Sequence, residues 1–228
     1  GHFGGVVEAL IPPGALVRIE HSKLGGGKLK PEKGLNFPDT DLGLSPLTDK
    51  DLADLDFVAG HADMIGYSFV ETPEDIVLLQ AELARRRPDW RRLGLVAKIE
   101  TPRAVRNLPD LIVQAAGRQP FAVMIARGDL AVEIGFERLA EMQEEMLWLC
   151  EAAHIPVIWA TQVLESLVKT GIASRGEVTD AAMSGRAECV MLNKGPFVLE
   201  AMDVLNDVLN RMEAHQHKKM AQLRALHW

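Results

Sequence analysis

From residue 57 onward the chain alternates short, near-continuous apolar runs with amphipathic stretches of helical period. The apolar runs Asp63–Phe69, Leu93–Ile99, Phe121–Ala126, Pro156–Ala160 and Glu188–Leu192 predict strands covered on both faces, as in a parallel sheet. The periodic stretches predict helices over 73–87, 102–116, 136–153, 176–186 and 196–215. Pro73 and Pro102 sit where a first helical turn tolerates a missing N–H, and each follows a threonine able to cap. Consecutive strand–helix units imply an α/β domain, either an open doubly wound sheet or part of a barrel. The first 56 residues differ. Val6–Leu10 and Ala15–Ile19 read as strands flanking the turn Pro12-Pro13-Gly14, and Gly25-Gly26-Gly27-Lys28 follows. This predicts a small β appendage over 1–36, joined through Lys33–Pro38 to an α/β body over 37–210, with a basic helix or tail over 211–228.

Composition narrows the function. The 228 residues carry 25 basic and 32 acidic side chains, a formal charge of −7, which argues against a nucleic-acid groove. No apolar run reaches the ~20 residues a membrane helix needs, and no signal segment opens the sequence. Cys150 and Cys189 form neither a disulfide framework nor a zinc-ligand spacing, so a cytoplasmic setting is expected. Gly1-His2 reads as a tag scar. The Gly25–Lys28 stretch has no phosphate-loop motif and reads as a flexible turn. Arg85, Arg86, Arg87, Arg91 and Arg92 bracket Pro88 and suit a helix C-terminus and the solvated loop beyond it. His154 reads as a loop residue. His215 and His217 splay to different faces of a helix and make no metal pair. Met142, Met146, Leu149 and Ala153 recur at helical spacing as a core face.

In parallel α/β proteins the functional face lies at the C-terminal ends of the strands. One strand ends in Lys98-Ile99-Glu100, which puts an ammonium and a carboxylate on the same side. The next runs into Ala126-Arg127-Gly128-Asp129 and adds a second carboxylate. Another ends in Thr161-Gln162, and an earlier one ends near Ser68. Two carboxylates at adjacent strand ends suit Mg²⁺ or Mn²⁺, and a lysine beside them suits a phosphoryl oxygen or an enolate. The plainer alternatives are an ion pair closing a strand end for Lys98–Glu100 and a helix N-cap for Thr161.

The ordered set Lys98-Ile99-Glu100, Ala126-Arg127-Gly128-Asp129-Leu130 with Val132-Glu133-Ile134, and Ala160-Thr161-Gln162-Val163-Leu164-Glu165-Ser166 resembles the pyruvate kinase family. Arg175-Gly176-Glu177 with Thr179-Asp180, and Lys33-Gly34-Leu35-Asn36-Phe37-Pro38, extend the resemblance over about residues 25–193. It implies part of a (β/α)8, TIM-type barrel with the remnant of a small β lid domain at residues 1–36. It also implies a cytoplasmic, glycolytic phosphotransferase exchanging a phosphoryl group between phosphoenolpyruvate and ADP, giving pyruvate and ATP. By position, Glu100 and Asp129 would hold the divalent metal, and Lys98 would stabilise the transferring phosphoryl and the enolate oxygen. The backbone at Ala126, Arg127, Gly128 and Asp129 would receive the substrate carboxylate. Thr161 would sit over the enolate carbon, and Ser68 and Gln162 would line the substrate pocket.

The same resemblance implies three preceding barrel strands that this sequence does not contain, with an arginine for the phosphate, ligands for K⁺ and residues near the nucleotide. No nucleotide-binding residue is assigned. Asn193-Lys194-Gly195-Pro196 departs from the family's nucleotide-side stretch. The family's regulatory C-terminal domain is also absent, so no effector site of that domain is expected. Five units cannot close an eight-stranded barrel, which implies a homo-oligomer, a second chain completing the barrel, or an open remnant. Two other functions are weighed against phosphotransfer: a Mg-dependent pyruvate-enolate aldolase or lyase, suggested by Ile99-Glu100-Thr101-Pro102, and a non-catalytic metal- and oxalate-binding subunit.

Overall fold

Thr72 and Thr101 cap the helices that Pro73 and Pro102 open, each accepting a hydrogen bond from the backbone N–H three residues on. The computed structural model describes residues 3–31, 34–38, 40–213 and 215, so Lys33, His217 and the basic side chains Lys218, Lys219 and Arg224 of the expected tail lie outside the described residues. Residues 1–36 and 37–228 form separate units.

In the first unit β1 (Phe3–Ile11) and β2 (Gly14–Ser22) pair antiparallel around the proline turn, with register shifts at Gly4/Gly5 and Val7/Ala9. Almost every hairpin side chain is exposed, Leu10 among the most at 83%. Gly25 and Gly26 adopt positive φ, and Gly26 N–H donates to Lys23 O at 2.8 Å to close the turn.

The second unit starts with α1 (Asp49–His61), held at its N-terminus by a capping box between Thr48 and Asp51. Then follow β3 (Met64–Tyr67), α2 (Pro73–Arg86), β4 (Gly94–Ile99), α3 (Pro102–Arg106), α4 (Leu108–Ala116), β5 (Phe121–Ala126), α5 (Arg127–Ile134) and α6 (Phe136–Ala152). β6 (Val157–Val163), α7 (Glu165–Thr170), α8 (Arg175–Met183), β7 (Cys189–Leu192) and α9 (Val198–Glu213) complete it. The five strands pair in sequential order, all parallel, and the sheet curls as half of a TIM-type barrel. β3 and β7 each have one neighbour in this sheet.

One face of the sheet is dry. Leu95, Ala97, Ile99, Val123, Ile125, Val157 and Trp159 are buried against Ile76, Leu79 and Leu83 of α2, Leu108 and Leu111 of α4, and Met142 and Met146 of α6. The other face departs from the expected double cover: Met64 is 67% exposed, and Ala122, Met124 and Ile158 are only half-buried. A curled, unclosed sheet has no second layer on its concave side, so continuous apolar sequence there does not mean full burial.

Other expectations are corrected locally. The helix expected over 102–116 breaks at Asn107, because Pro109 cannot donate to the preceding turn and instead opens α4. The strand expected over 156–160 continues to Val163 through an irregularity between Trp159 and Val163. α1, α5 and α7 carry too short or too weak a periodicity to be foreseen. Ala153 is exposed at the end of α6 rather than on its core face. Arg86 and Arg87 are tied down rather than solvated. Arg86 Nε donates to Asp56 Oδ1 at 2.7 Å and its Nη2 to Leu52 O at 3.0 Å, while Arg87 Nη1 reaches Ala59 O at 3.2 Å, so both pin α2 to α1.

Candidate active site

The β3–β4 pairing, with Tyr67 opposite Ala97, brings the residue after β3 beside the end of β4. Lys98 Nζ donates to Ser68 Oγ at 2.7 Å and lies 2.8 Å from Glu100 Oε1. The other carboxylate oxygen, Glu100 Oε2, accepts the Phe69 N–H at 2.7 Å. Glu100 is only 2% exposed, whereas the Lys98 side chain keeps 28%. A buried carboxylate is tolerated only when paired and hydrogen-bonded, and here both oxygens are engaged. The ion-pair reading of Lys98–Glu100 therefore holds as geometry, extended by Ser68 and the Phe69 amide.

On the neighbouring strand, β5 runs directly into α5. Ala126 is buried, pairs with Ala160 and occupies the N-cap without a side-chain cap, so the first amides of α5 have no side-chain acceptor there. Asp129 lies in the first turn of α5, where a carboxylate suits the helix dipole. It is half-buried and makes no hydrogen bond or ion pair among the described residues. Glu100 and Asp129 thus follow the C-terminal ends of adjacent parallel strands, on one rim.

Arg127 takes a different place from the rest of its motif. Its side chain is buried, with the guanidinium 4.7 Å from the Trp159 ring centroid. Nε donates to Ala160 O at 2.9 Å, Nη2 donates to Thr161 O and to Asp180 Oδ2 (3.0 Å), and Nη1 donates to Asp180 Oδ1. Of this residue only the backbone faces the start of α5. Asp180 was not foreseen as its partner, since 53 residues separate the two and no local pattern joins them.

Thr161 lies inside β6 and caps nothing; Leu164 precedes α7 instead. Thr161 (φ 67°), Gln162 (φ 60°) and Leu164 (φ 48°) are all left-handed, a costly conformation for a β-branched threonine. Its Oγ1 is buried without a hydrogen-bond partner among the described residues. A methyl group at Gly128 would stand 3.7 Å from Thr161 Cγ2, so the threonine stands over the start of α5. Gln162 is exposed. Phe69, also left-handed (φ 51°), adds a further strained position at the strand ends.

The sequence model described as "Pyruvate kinase, barrel domain" matches residues 13–208. The chain belongs to the pyruvate kinase family. It is 36% identical over 207 residues to the pyruvate kinase of Agrobacterium vitis, covering 88% of this chain and 41% of that protein. It is 33% identical over 216 residues to pyruvate kinase PKLR of Rattus norvegicus, covering 92% and 36%. With the pyruvate kinase of Thermococcus litoralis it shares 34% identity over 205 residues, 87% of this chain and 42% of that one. The chain therefore spans about two-fifths of the length of the curated relatives it matches.

Among the described residues there is no cluster of three or more His, Cys, Asp or Glu side chains placed to hold a metal ion. The rim offers two carboxylates, Glu100 and Asp129. Mg²⁺ keeps several waters and takes one or two carboxylates plus substrate oxygens, so this hard-oxygen donor set fits it. No described helix is long and apolar enough to cross a membrane.

Proposed function

We propose that this chain contributes the later strands of a pyruvate kinase barrel and part of its catalytic centre, exchanging a phosphoryl group between phosphoenolpyruvate and ADP. The observation that carries this is the Ser68–Lys98–Glu100 network at the same rim as the unpartnered Asp129. Glu100 and Asp129 would hold the divalent cation, Mg²⁺ or Mn²⁺, whose chemistry when bound is to neutralise charge on substrate oxygens. Lys98, oriented by Ser68 and Glu100, stabilises the transferring phosphoryl group and the enolate oxygen as negative charge builds there. The first amides of α5, from Arg127 to Asp129, receive the substrate carboxylate. Thr161 stands over the enolate carbon, its unpartnered Oγ1 free to orient a proton donor, with Ser68 and Gln162 lining the pocket.

Residues 1–36 are read as the remnant of the family's β lid, 37–210 as the partial barrel, and 211–228 as a basic C-terminal segment. A second copy or another chain completes the barrel, in the cytoplasm, and the K⁺ of the family reading is assigned to no residue here. Titrating the chain with Mn²⁺ by electron paramagnetic resonance, with and without oxalate as an enolate mimic, tests the site. Glu100→Gln and Asp129→Asn are expected each to weaken Mn²⁺ binding at least tenfold, and oxalate to tighten it in the parent chain. Lys98→Met should keep the Mn²⁺ signal while abolishing ATP formation from phosphoenolpyruvate and ADP. Equal Mn²⁺ binding by all variants overturns the reading.

A further inference from the structure

On the helix-covered side of the sheet, away from the rim, α6 and α8 diverge over β6 and leave a cavity of about 680 Å³, the size of a small-molecule pocket. Its walls are mainly apolar and include Trp148, Trp159 and Met183. Two polar atoms in it are buried without partners among the described residues: the indole Nε1–H of Trp159, a residue that is fully buried, and Oε1 of Gln143. The first is an obligate donor and the second an acceptor. Leaving both unpaired is costly, and a bound molecule presenting a carbonyl and an N–H would satisfy them together.

Charge narrows the ligand further. The carboxylates on the wall already have cations: Asp180 has Arg127, Glu144 has Arg186, and Glu141 has Arg138 at 2.9 Å. An ionised ligand would enter an apolar space whose counter-charges are taken, and would lose its hydration without compensation. A neutral molecule gives up far less. Two indole rings on the wall favour a flat one.

We propose that this cavity is a binding site for a neutral, planar amide- or lactam-bearing aromatic molecule, whose carbonyl accepts from Trp159 Nε1–H and whose N–H donates to Gln143 Oε1. The site is independent of the phosphotransfer reading, because none of the rim groups assigned to substrate or metal takes part in it.

The test is titration of the full chain with benzamide, read on the indole N–H resonances of its four tryptophans, with Trp159→Phe assigning the Trp159 signal. The Trp159 resonance is expected to move saturably. Gln143→Leu, which removes the acceptor and breaks no hydrogen bond, should weaken apparent affinity about tenfold, the worth of one such bond. Benzoate, of the same shape but charged, should bind at least tenfold more weakly to the unmodified chain, a comparison that needs no variant. The proposal is overturned by an unmoved Trp159 signal, which would leave only a water-filled cleft. It is equally overturned if Gln143→Leu binds benzamide as the parent does, or if benzoate binds as tightly as benzamide.

Discussion

The two ends of the rim are built on opposite principles. At β3 and β4 the polar groups meet: Lys98 bonds Ser68 and Glu100, and Glu100 holds the Phe69 amide with its second oxygen. At β6 the backbone is twisted into left-handed conformations at Thr161, Gln162 and Leu164, and the Thr161 hydroxyl has no partner among the described residues. The first end is preorganised charge that stabilises itself. The second persists only because something else holds it, and Arg127 is that clamp, bonding the carbonyls of Ala160 and Thr161 while anchored to Asp180. Strain of this kind costs ~1–3 kcal/mol per residue and concentrates where a fold must present a group to a ligand.

The largest expected effect is at the self-contained end. Glu100→Ala strips a buried carboxylate from both Lys98 and the Phe69 amide and should destabilise the chain by ~3 kcal/mol or more, measured as a fall in the urea midpoint. Glu100→Gln keeps the shape and an acceptor for the amide, so it should recover at least ~1 kcal/mol of that loss. Equal midpoints for the two variants would mean that the pairing of Glu100 contributes nothing and that this end is no different from the other.

Next is the clamp. Arg127→Lys keeps the charge but cannot reach Asp180 and two carbonyls at once, and should lose ~2 kcal/mol. The loss should be accompanied by greater amide exchange at 160–164 than at 98–100. Uniform exchange along the rim would show that the strained segment needs no clamp.

Much of this architecture is legible in the sequence because it is local. The Phe121–Ala126 strand, the Thr72-Pro73 and Thr101-Pro102 helix starts and the Lys98/Glu100 same-side spacing all follow from short-range chemistry. What escapes is long-range or cumulative. The Arg127–Asp180 pair spans 53 residues, the Lys98–Ser68 bond spans 30, and the half-bare concave face follows from strand curl rather than from composition. Thr161 was legible as special by its motif, yet the N-cap alternative failed because β6 continues past it. The Trp159 and Gln143 cavity had no sequence signal, since each looks like an ordinary core or helix residue until α6 and α8 are seen to part.

Relief of the strain itself gives a smaller effect of opposite sign. Thr161→Gly removes a β-branched side chain from φ 67° at the cost of more freedom in the unfolded chain, and the balance should raise stability by ~1 kcal/mol. Gly128→Ala is the matched control, because its methyl would meet Thr161 only at ordinary contact, 3.7 Å away, and stability should stay within ~0.5 kcal/mol. A lowered midpoint for Thr161→Gly would place the strain elsewhere and dissolve the contrast between the two ends.

The smallest effect concerns Glu177, which ties α8 to the segment just beyond the strained residues. Its carboxylate accepts the N–H of Ser174 in a capping box and the N–H of Ser166 at the start of α7. Burial pushes this carboxyl up, but the hydrogen bonds with Ser174 and Ser166 outweigh burial and hold it below the ordinary glutamate value of 4.5. A folded value below the unfolded one means that the contribution is complete above pH 4.5 and fades as the pH falls through the folded value. Glu177→Gln preserves the capping geometry without titrating, so it should cost ~0.5 kcal/mol at neutral pH. The gap between the two chains should then narrow in acid, seen as converging urea midpoints below pH 4.5. A gap that widens on acidification would reverse the sign of the Glu177 contribution and leave Arg127 as the sole support of the β6 end.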